Sequence, residues 1–173
     1  MNARPATGQA GMPILPERSG VEKILEVVAV AGVLFCVVAT AYFWPALPPN
    51  IPSHFGISGR PDAWGGKGLL LVFPILSVSL YAVLTVLSFF PHKFSYPWGI
   101  TEQNASRQYQ LARSQLAWIK AEMAVINSYI QWTMMAVAWG KREGLGVWFL
   151  PVVVMVLGGT VGFHQVQAYR ARR

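Results

Sequence analysis

Two stretches without a single charge, Val27 to Leu47 and Gly68 to Phe90, run for 21 and 23 residues. An α-helix rises about 1.5 Å per residue, so about 20 apolar residues cross a hydrocarbon core of about 30 Å. Inside that core every backbone N–H and C=O must find a partner within the protein, and an uninterrupted apolar run does this as a helix. Two further uncharged runs, Met123 to Trp139 and Val147 to Phe163, have 17 residues each. They reach the same span by tilting or by snorkelling Lys120 and Lys141. The pattern predicts an all-α, polytopic membrane protein, a bundle of four transmembrane helices at about 27–47, 68–90, 120–139 and 147–164. A single membrane domain over 24–173 would follow a mobile cytoplasmic arm over 1–23.

Composition agrees. Of 173 residues, 54% are hydrophobic and 12% charged, where a soluble domain carries about 25% charge. That excludes disordered, fibrous and ordinary cytosolic classes. Trp44, Trp64, Trp98, Trp118, Trp139 and Trp148 fall at or just beyond the ends of the expected spans, and only Trp132 lies inside one. An indole is apolar with one N–H to satisfy, so it prefers the headgroup layer. The net charge of +7 then reads as a basic cytoplasmic rim facing anionic lipid rather than a nucleic-acid surface. Ten Lys and Arg fall on the side of the termini and the middle loop, against Arg60, Lys67, Lys141 and Arg142 on the other. The positive-inside bias places both termini in the cytoplasm. Ala39-Thr40-Ala41 resembles a signal-peptidase site, but the apolar stretch before it is too long for a signal core, so an uncleaved first helix is expected.

Within the spans, polar residues form stripes. Lys120, Asn127 and Gln131 fall on one helical face, as do Ser77, Tyr81, Thr85 and Ser88. Such groups are expected to face other helices, where their hydrogen bonds orient the packing. Glu26 and Glu122 lie near span ends, within reach of water, which argues against a proton or substrate path. The segment Thr101 to Glu122 reads as a cytoplasmic helix continuing into the third span. Gly158 and Gly162 form a GxxxG pair through which helices, or two copies of the chain, could pack.

The loop from Leu47 to Lys67, LPPNIPSHFGISGRPDAWGGK, concentrates proline and glycine. Proline fixes φ and glycine admits positive φ, so the loop should be shaped rather than floppy. His54 and Asp62 are its metal-ligand types, while zinc wants three or four ligands. His92 and His164 would lie across the membrane, and Cys36 is the one cysteine. With no HExxH, no phosphate-binding glycine loop and no nucleophile–base–orienter set, neither metal nor cofactor is expected.

The positions Leu47, Pro48, Ile51, Pro52, His54, Phe55, Gly59, Pro61, Asp62 and Trp64 resemble the LPxxIPxHFxxxGxPDxW signature of a bacterial family of membrane proteins built on a domain of unknown function. The stretch from Tyr96 to Lys120 is similar to a cytoplasmic segment of its short members. The same domain forms the N-terminal part of SdpI-type immunity proteins, which protect cells against the Sdp killing factor and continue into a second multi-helix domain. The resemblance implies a bacterial inner-membrane location and, as one option, immunity. The reading is a non-enzymatic recognition, signalling or immunity-like protein acting through Pro52, His54, Phe55, Gly59, Pro61, Asp62 and Trp64. Ser77, Tyr81, Asn127 and Gln131 form its intramembrane polar set. Its partners would be the bilayer and a peptide or protein at the outer loop. The alternatives are an accessory subunit of a larger membrane complex or a membrane enzyme using His54 and Asp62.

Overall fold

The computed structural model describes residues 17–172. Most of the arm expected over 1–23 therefore lies outside the described residues. Four helices and one hairpin follow in order: α1 (Gly20–Phe43), β1 (Asn50–Phe55), β2 (Pro61–Gly66), α2 (Val72–Ser88), α3 (Ala105–Ala138) and α4 (Phe149–Arg170). Short 3₁₀ turns extend α1 through Trp44–Ala46 and lead into α2 over Lys67–Leu71. Three of the helical stretches are long and apolar enough to cross a membrane: Gly20–Ala46, Lys67–Ser88 and Phe149–Arg170, with mean hydropathies of 2.5, 2.4 and 1.7. The 34-residue α3 is less apolar, because Arg107, Arg113, Lys120 and Glu122 fall among its first 18 residues.

The first helix begins earlier than the uncharged run does. Ser19 accepts from the Glu22 backbone N–H at 3.2 Å, and the Glu22 carboxylate accepts from the Ser19 N–H at 2.7 Å. This reciprocal cap satisfies two of the donors a helix N-terminus leaves open. Residues 20–23, expected in the arm, are thus the first turn of α1.

Helix α3 packs against each of the other three. Its contact with α1 is parallel and close. Leu25 and Ala29 meet Ala121 and Ala124 in a small-residue seam. A Cβ added at Gly32 would stand 2.9 Å from the Ala124 Cβ and 3.0 Å from its carbonyl oxygen. Small residues let two backbones approach in this way. Gly158 and Gly162 are exposed and form no close helix contact, since a Cβ added at either would meet nothing within 4 Å.

The loop between α1 and α2 corrects the all-α expectation. Asn50 pairs with Gly66, Ile51 with Gly65 and Pro52 with Trp64, forming an antiparallel hairpin. The turn closes through Gly59 N–H to Gly56 O at 2.8 Å and Gly56 N–H to Arg60 O at 2.9 Å. Burial along Asn50–Phe55 does not alternate, since Ile51 and Pro52 are both buried and Ser53 and His54 both exposed, so the strand carries no clean period of two. Pro52 cannot donate to a ladder, and the register slips between Pro52 and His54.

Candidate functional site

A two-stranded hairpin is marginal by itself in water. This one is held by docking. Ile51 is fully buried against Ala39, Leu47, Leu70, Met134 and Met135, with Phe55, Phe43 and Trp139 at the edges. Trp139 Nε1 donates to Ala46 O at 3.1 Å, tying the ends of α1 and α3 beneath it, and Lys67 Nζ donates to Trp44 O at 3.4 Å, tying the end of α1 to the turn that leads into α2. The tip is clamped as well. Leu145 N–H donates to Gly59 O at 2.7 Å, and Arg60 pairs with Glu143 at 3.0 Å, joining the hairpin to the α3–α4 connection. Gly59 has φ +75° and lies against Gly146 backbone, so both its conformation and its surroundings call for glycine.

On this platform His54 and Asp62 meet. The register from Asn50 to Pro52 would set His54 across from Asp62. The irregularities around His54 shift its backbone partner to Ala63, but the side chains still join, Nδ1 to Oδ1, at 2.6 Å. Cross-strand neighbours of this kind share a sheet face. The pair is open to solvent, with side-chain exposures of 69% and 53%. Trp64 and Ile57 are exposed nearby, whereas Pro52 and Gly59 are buried and Phe55 and Pro61 half-buried. The proline and glycine positions thus build the backbone, and His54, Asp62 and Trp64 are the side chains the hairpin presents.

The polar stripes of α2 and α3 meet α1 and one another inside the bundle. Asn127 donates to Ser77 at 3.3 Å, and Gln131 donates to Cys36 O and Thr40 Oγ1, both at 2.9 Å. Lys120, 5% exposed in its side chain, pairs with Glu26 at 2.7 Å and donates to Thr85 at 3.0 Å. Tyr81 donates to the other Glu26 oxygen at 2.5 Å, and Arg18 approaches that carboxylate at 3.3 Å. Arg113 pairs with Glu22 at 3.2 Å, both buried. Sequence reasoning placed Lys120 and Tyr81 on inward faces but missed these ion pairs. A signal for them exists: in parallel helices, acids at 22 and 26 match bases at 113 and 120, at separations of 91 and 94 residues.

Outside the spans, Tyr96 donates to Pro91 O at 2.9 Å, and burial, then the neighbouring Tyr109, push its hydroxyl up to about 12. On α4, His164 Nδ1 lies 2.9 Å from Thr160 O and Nε2 lies 3.4 Å from Ser114 Oγ. The carbonyl can only accept, so Nδ1 is the donor to it. Among the described residues no three of His, Cys, Asp and Glu converge as a metal centre would require.

No curated protein and no solved structure matches this chain. Residues 31–78 match the model of a domain of unknown function, DUF1648. The match runs from the middle of α1 through the hairpin into the first turns of α2, and so contains His54 and Asp62.

Proposed function

We propose that this chain is a non-enzymatic membrane protein that recognises a peptide or protein through its outer hairpin. In this reading all four helices cross the bacterial inner membrane. The latter half of α3 is the remaining span, both termini are cytoplasmic, and the hairpin stands on the opposite face. The observation that carries the reading is the contrast within the hairpin. Ile51 is locked into the bundle with Phe55 at its edge, while His54 and Asp62 are joined and left open to solvent. A group buried for stability would be covered, and an acid–base pair built for catalysis would sit in a cleft.

The resemblance to SdpI-type immunity proteins makes immunity a special case of this recognition. The accessory-subunit alternative draws less support, because the polar faces of α2 and α3 that would serve a partner already bond to one another and to α1. A second copy of the chain would find its small-residue contact on the open Gly158 and Gly162 face of α4.

The test is substitution with two readouts. His54→Ala and Asp62→Ala should abolish partner capture or toxin resistance while membrane abundance stays normal. An exposed pair contributes about 1 kcal/mol or less to stability, so folding should survive. Loss of abundance together with function, or full function in both variants, would contradict the proposal.

A further inference from the structure

A second site lies away from the hairpin. Between α1, α3 and α4 runs a groove of about 700 Å³, within the range of about 300–1,000 Å³ typical of small-molecule sites. Its walls are almost wholly apolar: Leu25 from α1, Val125 and Tyr129 from α3, Val152 from α4, with Trp118 towards one end and Trp148 towards the other. Val125, Val152 and both tryptophans are exposed, so the groove opens laterally.

One lining residue breaks the pattern. Glu122, one turn beyond Trp118, accepts a hydrogen bond from Thr160 on its Oε1. Its Oε2 is buried without a partner. Among the described residues, Glu22, Glu26, Asp62 and Glu143 are in ion pairs; of the three acids that are not, Glu17 and Glu102 are exposed and Glu122 is half-buried. Lys120, two residues away, is committed to Glu26 on another face. An enclosed carboxyl oxygen left without a donor is costly, and on the wall of an apolar groove it marks a place for a ligand's polar head. Carboxylate torsions of glutamate are broad, so turning Oε2 towards the groove is a small motion.

We propose that this groove binds a single-tailed amphiphile with a primary ammonium head. The ammonium sits on Glu122, supplying the missing charge and the N–H donor for Oε2. The tail runs past Val125, Tyr129 and Val152 towards Trp148. Trp118, as a boundary residue, places the head near the headgroup layer, which is the orientation an amphiphile takes in one leaflet. Anionic lipids are repelled by the same carboxylate.

The experiment uses the full chain in dodecyl maltoside, titrated with dodecylammonium chloride or with dodecanol at matched amounts, reading thermal unfolding. The ammonium should raise Tm saturably, and dodecanol should not. Glu122→Gln should raise the half-saturating concentration about tenfold or more, as loss of a charge-assisted bond does. Val125→Trp keeps the carboxylate but fills the groove, and should abolish the saturable shift. Equal shifts with dodecanol, or unchanged half-saturation in Glu122→Gln, would overturn the proposal. If Glu122→Gln does not fold, unchanged binding in Val125→Trp overturns it alone.

Discussion

At the scale of single residues, the protein separates charges by what surrounds them. His54 and Asp62 hydrogen-bond at the open surface, where such a pair adds little stability and its geometry serves presentation. Lys120 and Glu26 meet inside the bundle, where neither survives without the other. Lys120→Met should therefore destabilise the chain in detergent by about 3–5 kcal/mol. The double change with Glu26→Leu should recover much of that loss, because it removes the stranded carboxylate as well. A double variant no more stable than Lys120→Met, measured by unfolding in mixed micelles, would show that the pair is not coupled. Tyr96 gives a pH signature. Its hydroxyl ionises at about 12 when folded, against 10.0 for the ordinary side chain. The unfolded state thus loses its proton first as pH rises. The stabilisation is whole below about pH 10 and disappears between about 10 and 12. The difference in stability between wild type and Tyr96→Phe should shrink over that interval, and a pH-independent difference would contradict the assignment.

At the scale of elements, the helices were legible and their partners were not. Uncharged length located α1, α2 and α4, and the stripes on α2 and α3 turn inward as period 3.6 implies. The start of α1 was missed because a capping box and a buried ion pair admit Glu22 to the helix, which charge counting alone refuses. The close approach was sought at Gly158 and Gly162, yet it occurs at Gly32. A small-residue motif says that a backbone can approach, and only the partner helix decides whether it does. The hairpin was hidden for a related reason: proline and glycine weaken local strand propensity, and the strands form because Ile51 has a cavity to fill between α1, α2 and α3. Its anchorage can be tested at the tip. Gly59→Ala forces a side chain into a positive-φ position, with its Cβ 2.5 Å from Gly146 O. It should cost about 1–3 kcal/mol and raise amide exchange over 50–66, leaving α2 and α3 protected. Unchanged exchange in the hairpin would show that the tip contact does not hold it.

At the scale of the whole molecule, the account rests on a division of labour across the bilayer. The hairpin and the α3–α4 connection form one joined surface, and the polar start of α3 lies at the other end of the bundle beside the start of α1. In the topology proposed above, the charge asymmetry of the loops puts the first surface outside and the second in the cytoplasm. That assignment decides whether His54 and Asp62 can meet an external partner at all. The direct measurement is labelling of single cysteines by an impermeant thiol reagent, in a Cys36→Ser background that removes the buried native thiol. Ser58, exposed at the hairpin turn, and Ser106, exposed in the first turn of α3, are the two positions. The account predicts that Ser58→Cys labels in intact cells and Ser106→Cys only after permeabilisation, and labelling of Ser106→Cys with protection of Ser58→Cys would contradict it.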